Sequence, residues 1–344
     1  MTHNQKGLCA FFILGSLSYT PSLAQSSDNN QYFRGKTITI LVPSAPGGGR
    51  SSNVAPVVER LSRNIPGNPI IIAKYMPGAG GSLAINHLYN VALRDGTFLA
   101  SPLTGTLISQ ITKDTSVQYD ISKMNWIGRT TDNAEIIYTW NDTNVFTIND
   151  AIKNEILIGT SSLSSIHSII PIVLNDVLGT KFKIIQGYTS SAAINLAVER
   201  REVDGAATTW ENIKTNHIEW VRSNKINILA QVAAAGNPDL PNVPVMIDFA
   251  KNDPDRELIN LIGSASDMGQ SFIAPPNIPN NVLNILRRAF DKTVKDQEYI
   301  DMIEKMGIKL NPMTGEQLTE ISDKVLNSKP ETITRFQSII AKYQ

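Results

Sequence analysis

Pro43-Ser44-Ala45-Pro46-Gly47-Gly48-Gly49-Arg50 is the stretch of this chain whose residue types and spacing point most directly to chemistry. The apolar run Ile38–Val42 precedes it and reads as a buried strand. Ser51-Ser52-Asn53, a helix-start signal, follows, and Val54, Val57, Val58 and Leu61 then recur at helical spacing. A strand, a glycine loop and a helix in that order turn backbone N–H groups and the positive end of a helix dipole toward an anion. Nucleotide-binding versions of this geometry do not fit. A P-loop needs Lys-Ser/Thr after its last glycine, and the dinucleotide fingerprint needs glycine where Ser52 stands. What remains is a carboxylate cradle formed by Ala45, Pro46, Gly47, Gly48, Gly49 and Arg50. The competing reading of the glycines is a tight turn that lets a helix pack close to a strand.

Four further stretches present polar atoms from loops that open helices. Pro77-Gly78-Ala79-Gly80-Gly81 is a second glycine loop, with Ser82 as N-cap. Its candidate contacts are Gly78, Ala79 and Gly80. Thr160, Ser161, Ser162 and Ser164 form a hydroxyl-rich loop ahead of a helix, and Tyr188 and Thr209 lie at further loop ends that open sheets turn toward a crevice. Trp210 either walls in an organic acid or fills the core. Arg50 is read as a solvated side chain able to add a charge-assisted bond to a distal carboxylate. His87, His167 and His217 stand singly, with no pair at ligand spacing on one helix, so they read as structural and no metal or cofactor is expected. There is no Gly-x-Ser-x-Gly elbow. Acid–base pairs of Asp and Glu stay open, because such pairs meet only in space.

The elements that must position these residues alternate strand and helix, the pattern of parallel α/β layers. After the opening unit come a strand over Pro69–Lys74, a helix carrying Ala84, Leu88, Val91 and Ala92, and a short strand Thr97–Leu99 entered through the turn Asp95-Gly96. Asn141-Asp142-Thr143-Asn144 is turn-like and marks a boundary. A second series begins at Ile156–Ile158 and continues with the stripe Ile166, Ile169, Ile170, Val173, Leu174, Val177 and Leu178, which Pro171 should kink and Gly179 should end. Ser271–Ala274 is a short strand before the rigid Pro275–Pro279. Three helices are expected after it, over Asn281–Asp296, Glu298–Met306 and Gly315–Tyr343, as packing elements.

The N-terminus carries Lys6, an apolar run from Leu8 to Leu17 and the small-x-small pattern Ser22-Leu23-Ala24. Residues 1–24 therefore read as a signal peptide cleaved near Ala24, leaving about 320 residues with a net charge of about −1. Cys9, the one cysteine of the 344 residues, lies inside that segment, so the mature chain has no thiol chemistry and no disulfide. The lysines and arginines equal the acids at 31 each and form no basic block, which argues against nucleic acid.

Taken in order, the motifs resemble the Bug-type solute receptors of tripartite tricarboxylate transporters. They are the strand with Val-Pro-x-Ala-Pro-Gly-Gly-Gly, Ile65-Pro66-Gly67-Asn68-Pro69, Met76–Gly81, Asp95-Gly96-Thr97, Gly159–Ser162, Glu202–Gly205 and Phe272–Pro276. They cover nearly all of the mature chain. The resemblance implies a type II periplasmic binding protein: two α/β lobes joined by two crossing strands, which Ile136–Trp140 and Ser271–Ala274 match. Lobe 1 would then take residues 32–138 and 266–344, and lobe 2 residues 139–265. It also implies a periplasmic monomer, a small organic carboxylate held largely by loop amides and water, and membrane permease subunits as partners.

Two departures stand out. Family members commonly carry a hydroxyl or tyrosine and then an aspartate after the glycines, where this chain has Arg50-Ser51, so no role of that aspartate carries over. Pro56 in the first helix is tolerable only if it falls in the first turn. Two other functions compete with the receptor: an exported α/β enzyme acting on a small acid, and a sensory module whose closed form docks on a receptor kinase.

Overall fold

A computed structural model describes residues 1–2, 31–47, 49–232 and 236–344. The expected signal peptide with its cleavage site, and Gly48, lie outside the described residues. The first lobe opens with β1 (Thr37–Val42), α1 (Gly49–Asn64), β2 (Ile70–Tyr75), α2 (Ser82–Asn90), β3 (Phe98–Ala100), α3 (Gly105–Ile111) and β4 (Asn125–Arg129). The second contains β5 (Glu135–Trp140), α4 (Ile148–Lys153), β6 (Glu155–Gly159), α5 (Ile166–Leu178), β7 (Lys181–Ile185), α6 (Ser191–Glu199), β8 (Gly205–Thr209), α7 (Trp210–Asn216), α8 (Ile218–Arg222) and β9 (Ile226–Val232). The chain then returns through α9 (Asp253–Ser266), β10 (Ser271–Ala274), α10 (Asn280–Thr293), α11 (Gln297–Lys305), β11 (Met313–Thr314), α12 (Gly315–Leu326) and α13 (Pro330–Ala341).

Among the described residues the strands form two sheets, ordered β11-β4-β10-β3-β1-β2 and β7-β6-β8-β5-β9. β1 runs parallel to β2 and β3, and β6 parallel to β7 and β8, as strand–helix alternation requires. Their alternation of β-branched and larger apolar residues buries Ile38, Ile40 and Val42 under α1, which contributes Val54, Val57 and Leu61.

The crossing between lobes departs from expectation. Ile136–Trp140 lies within β5, which pairs on both edges inside the second sheet, and Ser271–Ala274 is β10, paired on both edges inside the first. Each flanks the crossing instead of making it. The crossing is a short antiparallel pair just beyond them, where the Thr130 amide donates to the Gln270 carbonyl at 3.1 Å and the Gln270 amide to the Thr131 carbonyl at 2.8 Å. Residues 135–138 therefore belong to the second sheet.

Two helical expectations also change. Pro56 is well inside α1, beyond its first turn; it has no N–H for the carbonyl four residues back, which weakens the helix at that point. The expected helix Gly315–Tyr343 is two helices, because Pro330 starts a new one at its first position. The last helix then reaches back to the second lobe: Arg335 pairs with Asp176 on α5 at 2.8 Å and with buried Asp255 on α9 at 2.7 Å. One apolar cluster consequently runs through both lobes, from Leu41 and Ile108 to Ile137, Ile169, Leu258 and Phe336. Pro171 does sit inside α5, which ends at left-handed Gly179.

Candidate functional site

Between the lobes lies a cavity of about 550 Å³. Of the residues singled out from sequence, Ala45, Arg50, Gly78, Ala79, Gly80, Ser161, Ser162, Tyr188 and Thr209 line it. Pro46, Gly47, Thr160, Ser164 and Trp210 are not on its wall. The wall is built from loops at the ends of strands and from the N-termini of α1, α3, α5, α6 and α7, so donors and dipoles of both lobes face one space.

Each hydroxyl-rich loop is held by its own helix. The N-cap hydroxyls of Ser190 and Thr209 accept from the amides of Ala193 and Asn212, both at 3.2 Å. Ser165 caps α5 in the same way, accepting from the His167 amide at 3.3 Å. Thr160 is fully buried and bonds Ser168, so its hydroxyl supports the loop from behind. At the first loop Ser51 accepts from the Gly47 amide at 3.4 Å and bonds the Tyr75 hydroxyl at 2.9 Å.

Trp210 is 5 % exposed, in the apolar core of the second lobe with Ile136, Tyr138 and Trp220. Its indole N–H donates to the Asp239 carboxylate at 3.0 Å. Of the two readings open for this tryptophan, the core one holds. Arg50 also departs from its reading. It is 7 % exposed, and its guanidinium donates to the Gly269 carbonyl at 3.0 Å and, at 3.5 Å, to Ser101. Burial lowers its pKa to about 10, with Glu135 opposing the shift, so it stays charged at neutral pH.

A polar network without any local sequence signature sits where the lobes join. Glu135, at the start of β5, is fully buried and bonded to the His167 ring, Oε2 to Nε2, at 2.9 Å. Its other oxygen accepts from Asn133 Nδ2 at 3.4 Å; the same amide nitrogen donates to Thr104 at 2.8 Å, and Asn133 Oδ1 accepts from Gln270 at 3.0 Å. Through these bonds Glu135 orients both the amide chain and the His167 ring. Glu211, near the N-terminus of α7, is raised to about 7 by burial, with its own backbone amide and Lys214 opposing and with Glu135 and Asp132 adding to the rise. Arg50, Asn133, Glu135, His167, Gln270 and Glu211 all line the cavity.

The lobes touch across the mouth of this space. Gly80, at φ +59°, packs against the Ser162 and Ser164 hydroxyls, and Gly105 against the Ser164 carbonyl. A Cβ at either glycine would lie 2.6 Å from its nearest atom on the other lobe. No group of three metal-ligating side chains occurs among the described residues.

No protein-family model matches the chain, and neither does any curated protein. Solved structures do match in fold. The periplasmic binding protein BugD superposes with a TM-score of 0.70 at 17 % identity, over 88 % of this chain and 97 % of its own. MatC from Rhodopseudomonas palustris, with bound malate, gives 0.67 at 15 % identity, over 89 % and 99 %. A second protein of that organism, Rpa4515 with adipate, gives 0.66 at 14 % identity, over 88 % and 97 %. The chain has the two-lobed fold of these periplasmic binding proteins.

Proposed function

We propose that this chain is a Bug-type extracytoplasmic solute receptor, which closes its two lobes on a small organic carboxylate and delivers it, as a periplasmic monomer, to the permease of a tripartite tricarboxylate-type transporter. The observation that carries this reading is the cavity between the lobes, into which five helix N-termini and one buried, charged arginine face. Helix N-termini stabilise an anion with fixed dipoles, and Arg50 adds a full charge in a space of low dielectric. The bound acids of MatC and Rpa4515 support the ligand class, and the ordered motif series supports the family.

Ligand acts by shifting an open–closed equilibrium, because only the closed form presents both sets of N-termini to it at once. The enzyme reading would need a nucleophile or a proton donor in contact with substrate. The His167 ring is bonded to Glu135 and to no hydroxyl among the described residues, which favours capture over catalysis.

The test is a thermal-shift screen of the mature protein, shown to be ligand-free, against mono-, di- and tricarboxylates and aromatic acids. A ligand at about 100 times its dissociation constant stabilises the fold by about 2.7 kcal/mol. A selective rise in melting temperature is the expected result. A flat response to the whole panel would overturn the carboxylate reading.

A further inference from the structure

A second cavity, of about 180 Å³, shares no lining residue with the first. α9 forms one wall. Asn260, Gly263, Ser264 and Asp267 line the cavity from one face of that helix, three or four residues apart, while Leu258, Leu261, Ile262 and Ala265 are buried on its other sides. Asp267 caps the end of α9 shortly before Gln270, which pairs across the crossing and lines the first cavity, so the second lies behind the crossing. The facing wall has Val232 at the end of β9, Ile247 in the 3₁₀ turn Met246–Phe249, and Lys324 of α12, which packs on β4 of the first sheet.

Four polar side chains line this space: Asn260 and Lys324 are exposed, Ser264 and Asp267 half-buried. None of the four makes a side-chain hydrogen bond among the described residues, and no ion pair joins Lys324 to Asp267. Burial raises the Asp267 carboxyl above its ordinary value, with Arg129 opposing, Asp132 adding and Lys324 opposing. Arg129 is committed elsewhere, since its guanidinium donates to the backbone carbonyls of Asp267 and Asn311. A carboxylate drawn partly out of water with no donor is a costly group, and a bound cation relieves that cost. It also stands at the C-terminal end of α9, where the helix dipole favours positive charge. Lys324 offers the opposite charge from the other wall. Gly263 opens between them. An interior glycine weakens a helix, and no described atom lies within 4 Å of where its Cβ would stand.

We propose that this cavity is a second binding site, for a small neutral amino acid whose ammonium meets Asp267 and whose carboxylate meets Lys324. A short aliphatic side chain then rests on Val232, Ile247 and Ile259. The size sets the limit. A water takes about 30 Å³ of liquid, so the space holds the bulk of about six, and it falls below the range of about 300–1,000 Å³ typical for larger ligands. Alanine and valine match it. A monoamine or a monoacid of the same shape leaves one of the two charges unmatched. None of these residues faces the first cavity, so the proposal stands apart from the carboxylate-receptor reading.

The experiment is titration calorimetry of the mature protein with valine, beside isobutylamine and isovalerate, which lack its carboxylate and its ammonium respectively. Valine is expected to bind at one site per chain, and each counterpart about tenfold more weakly or worse. Gly263→Leu fills the cavity and should abolish valine binding. It should also raise the melting temperature of the unliganded protein, because leucine is the better helix former. Asp267→Asn keeps the shape, loses the charge, and should weaken valine by about tenfold or more. With any acid selected by the carboxylate screen at saturation in the first cavity, valine should still bind. Failure of valine and alanine to bind at millimolar concentration would overturn the proposal. So would valine binding that survives Gly263→Leu, or, should that variant not fold, binding unchanged in Asp267→Asn. Displacement of valine by the screened acid would place the amino acid in the first cavity and overturn it too. A flat carboxylate screen defeats the receptor reading alone and leaves the valine result readable.

Discussion

Gly105→Ala should weaken ligand binding without harming the fold, because the clash it creates exists only when the lobes are together. Gly105 is the first residue of α3 and has ordinary helical φ, so alanine costs nothing in backbone conformation and is the better helix former by up to about 1 kcal/mol. Its Cβ would lie 2.6 Å from the Ser164 carbonyl oxygen on the opposite lobe, against at least 3.4 Å for ordinary contact. The contact must therefore open by nearly an ångström. Since the obstacle is backbone, trimming the Ser164 side chain brings no relief. Overpacking of this kind costs about 1–3 kcal/mol, which falls on the closed state and weakens affinity roughly 5- to 150-fold. Calorimetry with whichever acid the screen selects gives the affinity, and solution scattering with saturating ligand gives the compaction. An affinity within twofold of wild type, with the same decrease in radius of gyration, would refute the view that this contact belongs to lobe closure.

Three other perturbations have expected outcomes. Glu211→Gln should flatten the dependence of stability on pH. The folded-state pKa of Glu211 is about 7 against an ordinary 4.5, so its destabilisation is absent below pH 4.5 and complete above pH 7, on the order of 3 kcal/mol; the variant should gain most in urea unfolding at pH 8 and nothing at pH 4. Arg50→Met should destabilise the protein by about 2 kcal/mol in the same assay, since it leaves the buried Gly269 carbonyl without its donor, and should abolish carboxylate binding. Trp210→Phe should cost about 1 kcal/mol through the lost bond to Asp239 and leave ligand affinity unchanged; a tenfold loss of affinity would return Trp210 to the binding surface.

How much of this was legible in the sequence follows from how local each signal is. The strand, glycine loop and helix at Ile38–Leu61 are written in consecutive residues, and the structure contains them as β1, the loop and α1. The loops at 77–81 and 160–165 announce themselves by composition in the same way, and parts of both line the cavity. The charged network does not. Thr104, Asn133, His167 and Gln270 meet only because the chain crosses between lobes twice, and nothing within ten residues of any of them encodes the meeting. Arg50 looks like a solvated arginine beside three glycines until Gly269 closes over it. Trp210 follows a threonine-rich loop that does face the cavity, yet helix geometry turns the next side chain into the core. The C-terminal tail reads as packing, and mostly is; but Met306 and Ile308 also line the cavity, a placement set by the return of the chain after β10.

The place of β10 between β3 and β4 bears on how such a chain is made. The second sheet uses strands from one continuous stretch, Glu135 to Val232, and can finish its pairing as soon as that stretch is available. The first sheet cannot. Its gap is filled by residues 271–274, which emerge only after the whole second sheet, and β11 and the helices that cover it emerge later still. During synthesis from the N-terminus, β3 and β4 therefore present open strand edges next to apolar side chains until the whole second sheet has been made, the condition in which nascent chains aggregate or engage a holding chaperone. The loop after β1 is translated early, yet its Arg50 gains the Gly269 carbonyl only after the whole second sheet has been made.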